Sequence, residues 1–146
     1  MDNNIGSFSL ILGGKRVAGD GDDRGITFTI HYSAEPVVLR MNDSMARGLA
    51  EAFISGTSEL EDTAGARRYV KVHGATCFVE GIGIGGARLC LVLDGMGDSG
   101  SSAHTERELL TVNSLSAAAI GYSLEALVNG RLGFTETLGR SRLRLV

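Results

Sequence analysis

Residues 67–94, RRYVKVHGATCFVEGIGIGGARLCLVLD, decide the fold class. They read as three strands in a meander. Val70 and Val72 share one face of the first strand, with Arg67 and Lys71 opposite them. Residues 77–84 form the second strand, and Leu89, Leu91 and Leu93 share one face of the third. Gly81, Gly83, Gly85 and Gly86 predict a bulge and a tight turn between these two. Short strands joined by turns pair antiparallel, because a parallel pair needs a long crossover. Such a bulge would rotate Glu80 away from the apolar face that Phe78 and Ile82 suggest. Cys77 and Cys90 fall in adjacent strands and read as two buried, reduced thiols.

Upstream, 7–12 (SFSLIL) and 26–32 (ITFTIHY) are strand candidates. In the second, Ile26, Phe28, Ile30 and Tyr32 point one way and Thr27, Thr29 and His31 the other. The turn-rich GGKRVAGDGDDRG (13–25) between them predicts a long hairpin loop, and 37–41 is a third short strand. A helix is predicted over 44–55, capped by Asn42, Asp43 or Ser44, with Met45, Leu49 and Phe53 at i+4 spacing and Gly56 as its stop. Residues 56–66 form a polar connection.

Downstream, Thr105 and Glu108 make a capping box, which predicts a helix over 105–128 that stops at Asn129-Gly130. Its centre, LSAAAIGYSLEAL (115–127), is apolar on most sides and rich in small residues. That pattern fits a helix sandwiched in the core or packed on another subunit. Residues 131–137 and 140–146 read as a closing hairpin. The expected order is β-β-β-α-β-β-β-α-β-β: an α+β fold, mostly antiparallel sheet with two helices packed on one face, in a single domain over residues 1–146. No internal repeat shows in the sequence.

A chain of 146 residues buries roughly 70% of its unfolded surface and needs no metal or disulfide to hold a core. The net charge of −3 carries no nucleic-acid or membrane signature, and the absence of tryptophan argues against a base-stacking platform. With 21 glycines and only Pro36 as proline, tight turns and close backbone contacts are expected rather than a disordered tail. MDNNIGSF has neither a basic n-region nor an apolar stretch, and no apolar run is long enough to span a membrane. A soluble, cytoplasmic protein is the expectation.

The loop 94–105, DGMGDSGSSAHT, concentrates the candidate chemistry. GDSGS (97–101) resembles the nucleophile motif of chymotrypsin-like serine proteases, which implies Ser99 as nucleophile, with His31 and Asp62 upstream in that family's order. Neither stands in the family's local pattern, and a triad is recognised by geometry. GMGDSGSS (95–102) has the glycine spacing of a phosphate-binding loop, but Ser101 occupies the lysine position and Asp98 repels phosphate. Asp94, Asp98, His104, Glu106 and Glu108 match no metal-ligand spacing. In the acidic turn 20–25, Arg24 replaces a ligand that a calcium loop requires. No metal or cofactor is expected.

Arg140, Arg142 and Arg144 alternate with Ser141, Leu143 and Leu145, so a terminal strand would show three guanidiniums on one face. Edge protection is the simplest use of such a stripe, and contact with an anion or an acidic partner is the functional one. The expected function is therefore a non-enzymatic binding or assembly protein, a homo-oligomer of phage- or virion-type or ligand-sequestering character. Asp98, Ser99, Ser101, His104, Arg140, Arg142 and Arg144 would contact an anionic small molecule or an acidic protein surface. The alternative is a small hydrolase or transferase centred on residues 94–108, with Ser99 or a bound metal providing the chemistry and His104 acting as base.

Overall fold

A computed structural model describes residues 5–31, 35–55, 65–83, 86–94 and 104–144, with side chains described for all but Asp94, His104 and 134–144. Eight strands and two helices run in the order β1 (Gly6–Leu12), β2 (Lys15–Gly21), β3 (Ile26–His31), β4 (Val37–Met41), α1 (Asp43–Ser55), β5 (Arg67–Val72), β6 (Ala75–Gly81), β7 (Ala87–Asp94), β8 (His104–Val112) and α2 (Ser114–Arg144). The strands make two antiparallel four-stranded meanders, β1-β2-β3-β4 and β5-β6-β7-β8. The α+β class and the antiparallel meander of 67–94 are as the sequence indicates. Glu80 shares the outer face with Phe78 through regular alternation rather than through a bulge.

The architecture is a ββββα unit used twice, although no repeat is legible in the residues. Both units begin with a two-residue hairpin, Leu12↔Lys15 and Val72↔Ala75. In the first, Gly13 (φ 55°) and Gly14 (φ 86°) supply the left-handed pair that a tight turn between twisted strands requires. Both units cap their helix with an asparagine: Asn42 Oδ1 accepts from Met45 N and Asn113 Oδ1 accepts from Ser116 N, each at 2.8 Å.

Each helix covers the other unit's first hairpin: α1 packs on β5 and β6, α2 on β1 and β2. Gly48 on α1 lets Val70 approach, and Gly6 and Gly21 leave room for Leu127 and Arg131 on α2. The helices cross closely where Gly121 meets Ala50; a Cβ on Gly121 would lie 2.9 Å from Ala50 O and 2.6 Å from Ile54 Cγ1. Ala46, Leu49, Ala50 and Phe53 on α1 and Ala117, Ile120, Leu124, Leu127 and Val128 on α2 join the inner faces of both sheets in one buried cluster.

Three local expectations give way to tertiary pairing. Residues 15–21 form β2 rather than loop, between β1 and β3. Gly19 there is a packing residue: the Phe8 ring lies over it, and a Cβ would sit 2.2 Å from Phe8 Cε1. The capping box at Thr105 does not start a helix, because 104–112 is β8, which buries Leu109, Leu110 and Val112 against the core; Asn113 caps α2 instead. The closing hairpin is absent, since α2 continues through Asn129-Gly130 to Arg144. Arg131 accounts for the overrun. Its Nε donates to Gly25 O at 3.3 Å and its Nη1 lies 3.5 Å from Asp43 Oδ1, anchoring the helix just past the local stop signal.

Candidate functional site

The outer face of the second sheet brings opposite charges together over an apolar floor. Arg67, Tyr69 and Lys71 on β5, Phe78 and Glu80 on β6, Arg88 and Cys90 on β7, and Glu106 and Glu108 on β8 all face outward by strand alternation. Phe78 is fully buried there, with the Arg67 guanidinium 4.4 Å above its ring and Tyr69 5.5 Å away. Arg67 Nη1 reaches Glu106 Oε1 at 2.7 Å, and Arg88 Nη2 donates to Glu80 Oε2 at 2.7 Å. Arg67 Nε lies 3.5 Å from Glu80, and Arg88 Nη1 3.8 Å from Glu108.

These groups neutralise one another. Tyr69 and then Glu106 hold Arg67 in its charged form, and Glu80 does the same for Arg88. Burial pushes the Cys90 thiol up, and pushes Cys77 to about 11. Both cysteines are buried and free, and their side chains leave opposite faces of the sheet, because Cys90 sits across from Phe78 while Cys77 sits across from Leu91. Protonated buried thiols are poor nucleophiles and poor metal ligands. Among the described residues, no three His, Cys, Asp or Glu side chains converge on a metal position.

Beside this network, a cleft of about 530 Å³ runs between α1 and β5, lined by Ser44, Met45, Gly48, Glu51, Arg68, Tyr69, Val70 and Lys71. Arg68 and Lys71 are exposed and, unlike Arg67, make no ion pair among the described residues. A second cleft, of about 520 Å³, lies at the β2–β3 turn, where Asp20, Asp22, Arg24, Arg40 and His73 meet. Asp22 Oδ1 there accepts from Arg24 N (2.8 Å) and Gly25 N (3.0 Å), so this carboxylate closes its own turn rather than presenting a calcium site.

Asp98, Ser99 and Ser101 lie outside the described residues. His104 opens β8, in register with Asp94 at the end of β7, so the segment between them leaves one strand and enters its paired neighbour rather than a helix. Arg140, Arg142 and Arg144 fall on α2, and the strand alternation that would align three guanidiniums does not apply there. Of the α1–β5 cleft only Lys71 was legible, on the face it shares with Arg67; Arg67 itself joins the ion-pair network, and Arg68 supplies the cleft's other cation. The cleft's other wall needs the helix exchange, which leaves no sequence signal. No protein-family model matches the chain, and no curated protein matches it in sequence.

Proposed function

We propose that the protein is a non-enzymatic binding or assembly protein of one domain that works as a homo-oligomer and contacts an anionic ligand or an acidic protein surface. The surface of α2 carries this reading. Leu115 is 81% and Tyr122 59% exposed, two turns apart on one side of the helix with half-buried Ala118 and Ala119 between them. An apolar stripe on the outside of a helix whose opposite side already fills the core is what a subunit contact uses. The exchange of helices between the two ββββα units supports one cooperative domain. Arg68 and Lys71 in the α1–β5 cleft supply cationic side chains for an anion or a carboxylate-rich surface.

Light scattering on the purified chain over a wide concentration range tests the oligomer. A mass that is a multiple of the subunit mass is expected, and a strict monomer overturns the reading. Retention on an immobilised polyglutamate resin tests the anionic contact; the Arg68→Glu, Lys71→Glu double variant is expected to elute at lower salt than the parent. Equal elution removes the cleft from the proposal.

A further inference from the structure

We infer that the outer edge of β1, unpaired among the described residues, is a self-pairing surface: β1 of one copy pairs antiparallel with β1 of a second copy, joining two four-stranded sheets into one of eight strands. This rests on the homo-oligomer reading above and adds a second contact to the α2 stripe proposed there. Of the four edge strands, three are protected in the ways natural sheets use. β4 carries Arg40, whose carbonyl accepts from His73 N at 2.9 Å. β5 carries Arg67, Arg68 and Lys71. β8 carries Glu106, Arg107 and Glu108, and its register against β7 breaks at Leu89/Cys90. β1, GSFSLIL, has no charge and no proline, and its register with β2 is unbroken from Gly6 to Leu12.

Hairpin geometry says which groups are open. Leu12 and Lys15 flank the two-residue turn, so Leu12, Leu10, Phe8 and Gly6 exchange ladder bonds with β2. The N–H and C=O groups of Ser7, Ser9 and Ile11 therefore point out along the edge. All three residues are exposed, Ile11 at 80%. Ser9 is the middle residue of the strand. A two-fold axis through it sets Ser9 opposite Ser9 and Ser7 opposite Ile11 of the second copy, with about six backbone hydrogen bonds in register. On the inner face the same register places Phe8 against Leu10 of the second copy, and both are only half-buried in one chain. An uncharged strand meets its own copy without like charges in opposition, whereas β5 would stack arginine and lysine on themselves.

The test uses the full chain with Ser9→Lys, Ser9→Glu and Ser9→Cys. The Ser9 side chain is exposed, so each variant is expected to keep the parent's circular dichroism, while the melting temperature of the dissociated charge variants falls by the stabilisation that association supplies to the parent and recovers in their equimolar mixture. The parent is expected to form a dimer or a multiple of dimers. Each charge variant alone should show half the parent mass by light scattering, and an equimolar mixture of the two should recover it, which also demonstrates that both fold. Ser9→Cys should form a reducible intermolecular disulfide that the parent lacks, since directly paired antiparallel residues lie within disulfide reach (about 5.5 Å between Cα atoms). An assembly mass unchanged in both charge variants, or an odd-numbered assembly, overturns β1 pairing and leaves the homo-oligomer reading standing. A parent that is monomeric at every concentration overturns both.

Discussion

The two ββββα units have the same path and opposite surfaces. Where the second sheet has Tyr69, Phe78 and Cys90 in a row across its outer face, the first has Ser9, Ala18 and Thr29. Where the second braces its face with Arg67, Glu80, Arg88 and Glu106, the first offers Ser7, Asp20, Thr27 and Arg40. The clefts at the two second turns differ in the same way. One is lined by Asp20, Asp22, Arg24 and Arg40, while its counterpart, of about 480 Å³, is lined by Ile82, Gly83, Gly86, Thr111 and Val112. Inner faces are held alike because both meet one shared core. The outer faces are free to diverge, and among the described edge strands this divergence leaves β1 without a charged residue.

The difference can be broken first at Phe78. Phe78→Ala is expected to lower the unfolding free energy by about 3–5 kcal/mol, whereas Ala18→Ser, at the matching place on the first sheet, should stay within about 0.5 kcal/mol, both read from urea unfolding. Equal effects would show that the second outer face is not a packed layer.

Next comes the helix crossing. Gly121→Ala forces a methyl against Ala50 O and Ile54, and should cost about 1–3 kcal/mol. Its counterpart Ala50→Gly should cost about 1 kcal/mol, from helix propensity. A stabilising Gly121→Ala would refute the close crossing. Glu80→Gln leaves Arg67 and Arg88 without their shared, largely buried carboxylate, for a loss of about 1–2 kcal/mol that added salt does not abolish.

Asn42→Ala and Asn113→Ala sharpen the likeness rather than the difference, each costing about 1 kcal/mol by the same lost bond to a helix N–H. The smallest effect at neutral pH concerns Cys77. Burial raises its folded-state pKa to about 11, with the neighbouring Cys90 adding to the rise. The unfolded thiol ionises first, so this contribution to stability is complete below the ordinary thiol pKa and is lost as pH climbs toward 11. Unfolding followed across that window should fall less steeply in Cys77→Ala than in the parent; parallel curves would place Cys77 in contact with water.

Strand alternation made β3, β5, β6 and β7 readable, because an inner face such as Ile26, Phe28 and Ile30 repeats every second residue. It failed at β2, where Gly19 fills the inner position because the Phe8 ring already occupies that space, and glycine then reads as turn. It failed again at β8, where a local helix-start signal lost to pairing with β7 over eight positions. The arginine stripe failed for a similar reason. The Asn129-Gly130 stop is a weak local preference, and Arg131 held by Gly25 and Asp43 outweighs it.

The amino-acid order by itself determined the class of the fold, the meander at 67–94, the first helix and the burial of both cysteines, since each depends on periodicity within a few neighbouring residues. Only the tertiary structure decided that the unit is used twice, that each helix covers the other unit's hairpin, and that 104–112 is a strand. Those outcomes depend on partners far apart in the chain, such as Gly121 against Ala50 and Gly21 against Leu127. The space one side chain leaves for another is a property of the packed pair, which no local pattern of residues encodes.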